Sequence, residues 1–198
     1  MKNKFRDTRH TQHDTRKETG PLKSRESRSG LRVLGVDPGT ATTGWAIVEE
    51  VEKNPRLIAC GCINTSKMKT DAERLVEIGR DLKSLIEKYK PAEAAIEDLF
   101  FFKNLKTAIT VAQARGVILY EIKKNIIPLF SYTPLQVKQA LTGYGRADKK
   151  QIQIMVKNVL KLRSAPEPDD AADAAAIAIC HLNSRLSMRV TRHPKNEK

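Results

Sequence analysis

The sequence predicts an α/β domain built on a mixed five-stranded sheet with helices packed against it. Three observations carry this. Short apolar runs joined by tight turns open the domain. The apolar spacing then switches from strand to helix period. Beyond that point short strands alternate with helices.

Leu31-Arg32-Val33-Leu34-Gly35-Val36-Asp37 is a short, mostly apolar run that reads as a buried strand, and Pro38-Gly39 marks the turn after it. Gly44–Val51 and Arg56–Asn64 read as two further strands, so the first three form an antiparallel meander. Leu75, Ile78, Leu82, Leu85 and Ile86 then recur at helical spacing between Asp71 and Tyr89, and Pro91 stops that helix. Ala94–Glu97 is a short buried strand, followed by a helix over about 104–124. Ile126–Tyr132 is a strand interrupted by Pro128. Thr133-Pro134 supplies an N-cap with proline behind it, for a helix ending at Gly143. Asp148 caps the next helix, and Asp169 or Asp170 opens an Ala-rich last helix to about Asn183.

The 198 residues suit one domain of about 31–184 between two basic tails. The formal charge is +13, with 36 Lys+Arg against 23 Asp+Glu. Residues 1–30 and 185–198 hold most of the excess and little apolar content, so both segments are expected to be disordered. Such a charge points to a polyanion, most commonly nucleic acid. No apolar stretch approaches the roughly 20 residues of a membrane span, and no charged-then-apolar leader opens the chain. The expectation is a cytoplasmic protein. Cys60, Cys62 and Cys180 are too few for a disulfide framework, lack the partners of a zinc site, and read as buried apolar thiols.

The chemistry rests on carboxylates. Asp37 and Glu97 each end an apolar strand, where open α/β sheets place their sites. Asp170 and Asp173 are three apart and share one face of the last helix, a face otherwise lined with alanine. Each has a plainer reading: Asp before Pro suits a turn, and Asp at a helix start suits a cap. Together they offer hard oxygen ligands without His or Cys, a set that suits Mg²⁺ or Mn²⁺. Paired ions of that kind clamp the attacking and leaving oxygens in phosphoryl transfer, so a basic protein with this set reads as a nuclease.

These residues resemble the RuvC family of Holliday-junction resolvases. The likeness lies in Val36-Asp37-Pro38-Gly39-Thr40 with Gly44-Trp45, Ala95-Ile96-Glu97, Gln113-Ala114-Arg115-Gly116, Val137-Lys138-Gln139 and Asp170-Ala171-Ala172-Asp173-Ala174, in the same order from about Leu31 to Asn183. The resemblance implies a ribonuclease-H-like fold with helices on both sheet faces. It implies a homodimer that cuts two opposed strands of a four-way DNA junction using two Mg²⁺ ions per site, for which Mn²⁺ can substitute. It implies 5′-phosphate and 3′-hydroxyl ends, and RuvA and RuvB branch-migration proteins as partners. The family's acidic tetrad falls on Asp37, Glu97, Asp170 and Asp173, leaving Asp169 as a cap. Its catalytic lysines fall on Lys138 and Lys149.

Other residues read as DNA contacts. Phe100-Phe101-Phe102 with Lys103 follows the strand that ends in Glu97, and the family has a DNA-contacting aromatic at the Phe100 position. Core packing is the competing reading for the three phenylalanines. Residues 133–165 carry seven Lys/Arg against Asp148 alone, including Lys138, Arg146 and Lys149. Gly143-Tyr144-Gly145-Arg146 precedes a helix start, a favourable place for a phosphate. Gly116 sits mid-helix, where close approach of a partner subunit and packing on the chain's own sheet are both admissible.

Three other readings compete. Actin-like ATPases share an Asp-x-Gly strand end but need a second domain for which the body has no room. A related ribonuclease-H-like nuclease would act on RNA or another branched substrate. A DNA-binding protein without catalysis leaves the carboxylates, which repel phosphate, unexplained.

Overall fold

The computed structural model describes residues 30–98 and 105–191. Within them, the strands are β1 (Leu31–Asp37), β2 (Thr42–Val51), β3 (Asn54–Asn64), β4 (Glu93–Glu97) and β5 (Leu129–Tyr132). The helices are α1 (Asp71–Tyr89), α2 (Leu105–Lys124), α3 (Pro134–Thr142), α4 (Lys149–Val159) and α5 (Asp169–Thr191). Every element the sequence predicts is present, in the predicted order. The N-terminal arm to residue 29 and the last seven residues lie outside the described region.

The strands form one sheet in the order β3-β2-β1-β4-β5. β1, β2 and β3 pair antiparallel, and β1, β4 and β5 pair parallel. The sheet is mixed because the hairpin turns allow reversal, whereas each later strand returns through a helix. Strand alternation sends side chains to opposite faces. Val33, Ala46, Val48 and Ala95 pack with α3, α4 and α5, while Leu34, Val36, Ile47, Ala94 and Ile96 pack with α1 and α2. Helices therefore cover both faces.

Local chemistry sets the helix starts. Thr70, Thr133 and Asp148 each accept the backbone N–H three residues on, and Glu73, Gln136 and Gln151 answer back to the cap's own N–H. These reciprocal pairs satisfy donors a helix start leaves open. Gly143 ends α3 in the left-handed conformation, at φ 70°.

β2 and β3 each begin two residues before the expected start, at Thr42 and Asn54, and two boundaries differ more. β5 begins at Leu129, because Pro128 cannot donate to the ladder and takes part only through its carbonyl, which accepts the Ala94 N–H. α5 runs to Thr191 rather than to about Asn183, so the expected tail at 185–198 begins inside a helix. No proline interrupts it before Pro194. Arg185 Nε donates to Glu93 Oε2 at 2.7 Å. The same Glu93 oxygen meets His181 Nε2 at 2.7 Å, and Tyr132 Oη lies 2.7 Å from His181 Nδ1. This network ties α5 to the start of β4 and the end of β5, and a neutral imidazole satisfies every member. Burial lowers the His181 pKa, which favours that neutral form.

The feature that positions the site is how closely α5 lies on the sheet. A Cβ on Gly35 would run into the Ala174 carbonyl, and one on Gly44 into the Asp170 carbonyl. Ala171, Ala174, Ala175 and Ala178 meet these strands with no exposed surface. Small residues on both partners let backbone approach backbone. A Gly35→Ala protein should be less stable by about 1–3 kcal/mol, the usual cost of overpacking a rigid contact. Urea titration measures it, and an unchanged midpoint would show that α5 yields freely.

Candidate active site

Asp37 is the last residue of β1 and Glu97 the last of β4. The parallel register pairs Val36 with Ile96, so the two carboxylates leave the sheet side by side. α5 starts over the same edge and brings Asp170 and Asp173 to them. Ligand oxygens of Asp37, Asp170 and Asp173 all lie within 4.8 Å of one another, a spacing that can hold a metal ion. Glu97 joins through its close interaction with the Asp37 carboxyl group. The structure thus brings together all four predicted carboxylates.

Their environment is costly for charge. Burial, then the facing Glu97, raises the Asp37 pKa from 3.8 to about 8. Burial also raises Glu97, while its interaction with Asp37 and the nearby Lys138 ammonium pull it down. Asp173 is raised by burial first, against the opposing pull of Lys149. A polyvalent cation would relieve all three.

Lys138 and Lys149 stand beside this group. With Glu97 and Asp173 they line a cavity of about 270 Å³ whose floor is Val137, Ile152 and Ile177. Lys149 Nζ lies 3.2 Å from Asp169 Oδ2 and 3.3 Å from Asp173 Oδ2. Desolvation lowers its pKa, but the two carboxylates outweigh that and leave it raised. Asp169 does not cap α5. Its Oδ1 accepts a hydrogen bond from Gln153 Nε2 at 2.8 Å, so it faces α4. Spacing alone cannot reveal that role, because Gln153 and Lys149 reach Asp169 only once α4 has packed on α5.

Arg115 is a second residue whose task the sequence leaves open. Its Nε donates to the Glu97 carbonyl at 3.2 Å, and its Nη2 donates to Asp98 Oδ1 and Ser131 Oγ, each at 3.0 Å. It ties α2 to the ends of β4 and β5, just where Glu97 leaves the sheet. The turn after β1 is tied as well. Thr40 Oγ1 donates to the Thr110 carbonyl at 2.7 Å, and Thr43 Oγ1 to the Gly39 carbonyl at 2.6 Å.

Arg146 is exposed in the loop between α3 and α4. At the α4 N-terminus behind it the Asp148 side chain takes up the Gln151 N–H. Phe100, Phe101, Phe102 and Lys103 lie outside the described residues. Cys180 is buried as expected, but Cys60 and Cys62 are only half-buried. Among the described residues, no helix is long and apolar enough to cross a membrane.

The raised Asp37 pKa has a stability consequence with a definite sign. Below the ordinary value of 3.8, folded and unfolded chains both hold this proton. Above it the unfolded chain releases the proton first, so stability falls as pH rises toward about 8. In chelator at pH 8, Asp37→Asn should therefore be more stable than the parent protein by an amount on the order of 1–3 kcal/mol, with the gap closing toward pH 4. Parallel melting curves whose separation does not change with pH would contradict this.

The chain is similar to several known proteins. The family model for "Crossover junction endodeoxyribonuclease RuvC" matches residues 33–181. A protein of that name from Roseiflexus sp. is 56% identical over 153 residues, covering 77% of this chain and 91% of that protein. The structure of Thermus thermophilus RuvC in complex with Holliday junction substrate is 33% identical, with a TM-score of 0.75 over 79% of this chain and 96% of that one. A yeast mitochondrial Holliday junction resolvase, at 16% identity and TM-score 0.61 over 83% and 84% of the two chains, shares the fold. The motifs, the sheet order and these matches coincide over the same stretch of sequence: the chain belongs to the RuvC family.

Proposed function

We propose that this protein is a divalent-metal-dependent endodeoxyribonuclease that resolves four-way (Holliday) DNA junctions in recombination and repair. The observation that carries the reading is the cluster of Asp37, Asp170 and Asp173 with Glu97 at one edge of the sheet. The relatives' names and the junction-bound Thermus structure support it.

The residues fit a hard cation. Every donor is a carboxylate oxygen, no His or Cys belongs to the cluster, and burial with mutual repulsion leaves the group short of positive charge. Asp37, Glu97, Asp170 and Asp173 would hold Mg²⁺, two ions per site, with Mn²⁺ able to replace it. Bound there, the ions would activate a water and neutralise charge on the phosphate and the departing oxygen. Lys138 and Lys149 add positive charge where negative charge builds on the phosphate. The water oxygen bonds to phosphorus as the bond from phosphorus to the 3′ oxygen breaks. A 5′ phosphate and a 3′ hydroxyl remain, ends a ligase can join. Arg146, Lys103 and Phe100 are assigned to holding the DNA, the lysine and arginine through phosphates and the phenylalanine by stacking.

Symmetric paired cuts need two sites, and a two-fold homodimer supplies them in the symmetry of the junction itself. The exposed side of α2 favours this. Ile109 and Tyr120 are 51% and 61% exposed, and a Cβ on Gly116 would meet nothing among the described residues. An open glycine beside exposed apolar side chains supports the partner-subunit reading over packing on the chain's own sheet. Val76 of α1, 71% exposed, extends the same apolar face. RuvA- and RuvB-type proteins are the proposed branch-migration partners, and the cytoplasm the proposed compartment.

A Mg²⁺ titration with a synthetic four-way junction, linear duplex and an RNA–DNA hybrid tests the activity. Cutting should be confined to the junction. Asp37→Asn should slow it by about 10³-fold or more while binding persists. Equal cutting of the hybrid would favour a related nuclease acting on RNA. Binding without any cutting would favour a DNA-binding protein. For the dimer, Tyr120→Arg should shift sedimentation to the monomer, and an unchanged sedimentation coefficient would exclude the α2 face.

A further inference from the structure

Lys149 reaches two carboxylates at nearly equal distance, and only one of them belongs to the acidic cluster. Its Nζ is 3.2 Å from Asp169 and 3.3 Å from Asp173. Asp169 is not in that cluster. It is held from the other side by Gln153, whose Nε2 donates to the free oxygen at 2.8 Å. Lys149 and Gln153 are four apart on α4, so one helix face presents both groups to Asp169.

We propose that Lys149 is a built-in counter-cation of the metal site, and that Asp169, fixed by Gln153, is the positioning residue that receives it when a metal ion claims Asp173. The inference rests on the metal-site reading given above. In the metal-free protein the ammonium neutralises part of the crowded carboxylate charge. An incoming divalent ion competes with it for Asp173. Because Asp169 already shares the ammonium, the displaced lysine keeps a partner and stays at the rim of the cavity between α3, α4 and α5. A side chain kept there remains beside the place where DNA phosphate must come. Without Asp169 the lysine would rest on Asp173 alone, and metal would have to break that pair outright.

Calorimetric titration of the full-length protein with Mg²⁺, in the absence of DNA, tests this through Lys149→Met, Asp169→Asn and the double variant. Lys149→Met should tighten Mg²⁺ binding about threefold, as expected for removing one competing charge at the edge of a solvated site. Asp169→Asn should weaken binding about twofold to threefold in the parent protein and leave it unchanged in the Lys149→Met background, because its effect passes through the lysine. Gln153→Ala, which changes no charge, should weaken it in the same sense. Equal weakening by Asp169→Asn in both backgrounds would overturn the proposal by showing a plain charge effect. Unaltered affinity in Lys149→Met would overturn it as well. Parent protein that binds no Mg²⁺ would instead remove the metal-site reading on which it stands. Asp169 and Lys149 side chains are 64% and 52% exposed, so these substitutions leave the core intact.

Discussion

Everything functional here depends on the contact between α5 and the centre of the sheet. β1 and β2 offer Gly35 and Gly44, and α5 answers with alanines. A helix held off by larger side chains would still cover the sheet and still bury apolar area. It would not bring Asp170 and Asp173 to Asp37. The geometry of the acidic cluster is thus decided by side chains that carry no chemistry at all. The far end of the same helix is tied by His181 and Arg185 to Glu93, the first residue of the strand that ends in Glu97. One strand therefore touches α5 at one end and contributes a carboxylate to the cluster at the other.

That arrangement works against stability at the cluster itself. Four carboxylates are crowded into a partly buried edge, and the pKa values of Asp37, Glu97 and Asp173 rise in consequence. Proteins tolerate such strain where a ligand will relieve it, and perturbed groups gather at functional sites for this reason. The surroundings are stiffened to hold it. Arg115 ties the end of β4, the threonines tie the turn after β1, and Lys149 supplies one positive charge in advance.

Most of the fold was legible because its signals are local. Thr133 before Pro134, and Asp148 before a run of apolar residues at helical spacing, mark helix starts through backbone chemistry that needs no tertiary context. The four carboxylates were legible as strand ends and as a helix pair, and the motif order strengthened them. What could not be read arises where elements meet. Asp169 looks like a cap because it opens a helix, and only the packing of α4 reveals its bond to Gln153. Arg115 sits in a recognisable motif, yet its hold on Glu97 crosses from α2 to the sheet. The full length of α5 is hidden in the sequence because the chain past Asn183 looks basic, although Arg185 pairs with Glu93.

The order of these pieces along the chain has a further consequence. Asp37 and Glu97 lie in the first half of the domain, whereas Asp170 and Asp173 sit on its final helix. A ribosome releases them in that order. A nascent chain that stops short of α5 holds only half of the carboxylates and leaves Gly35 and Gly44 uncovered. The full acidic cluster therefore waits for the last helix to dock. The same tight contact that builds the site makes its completion the final act of folding.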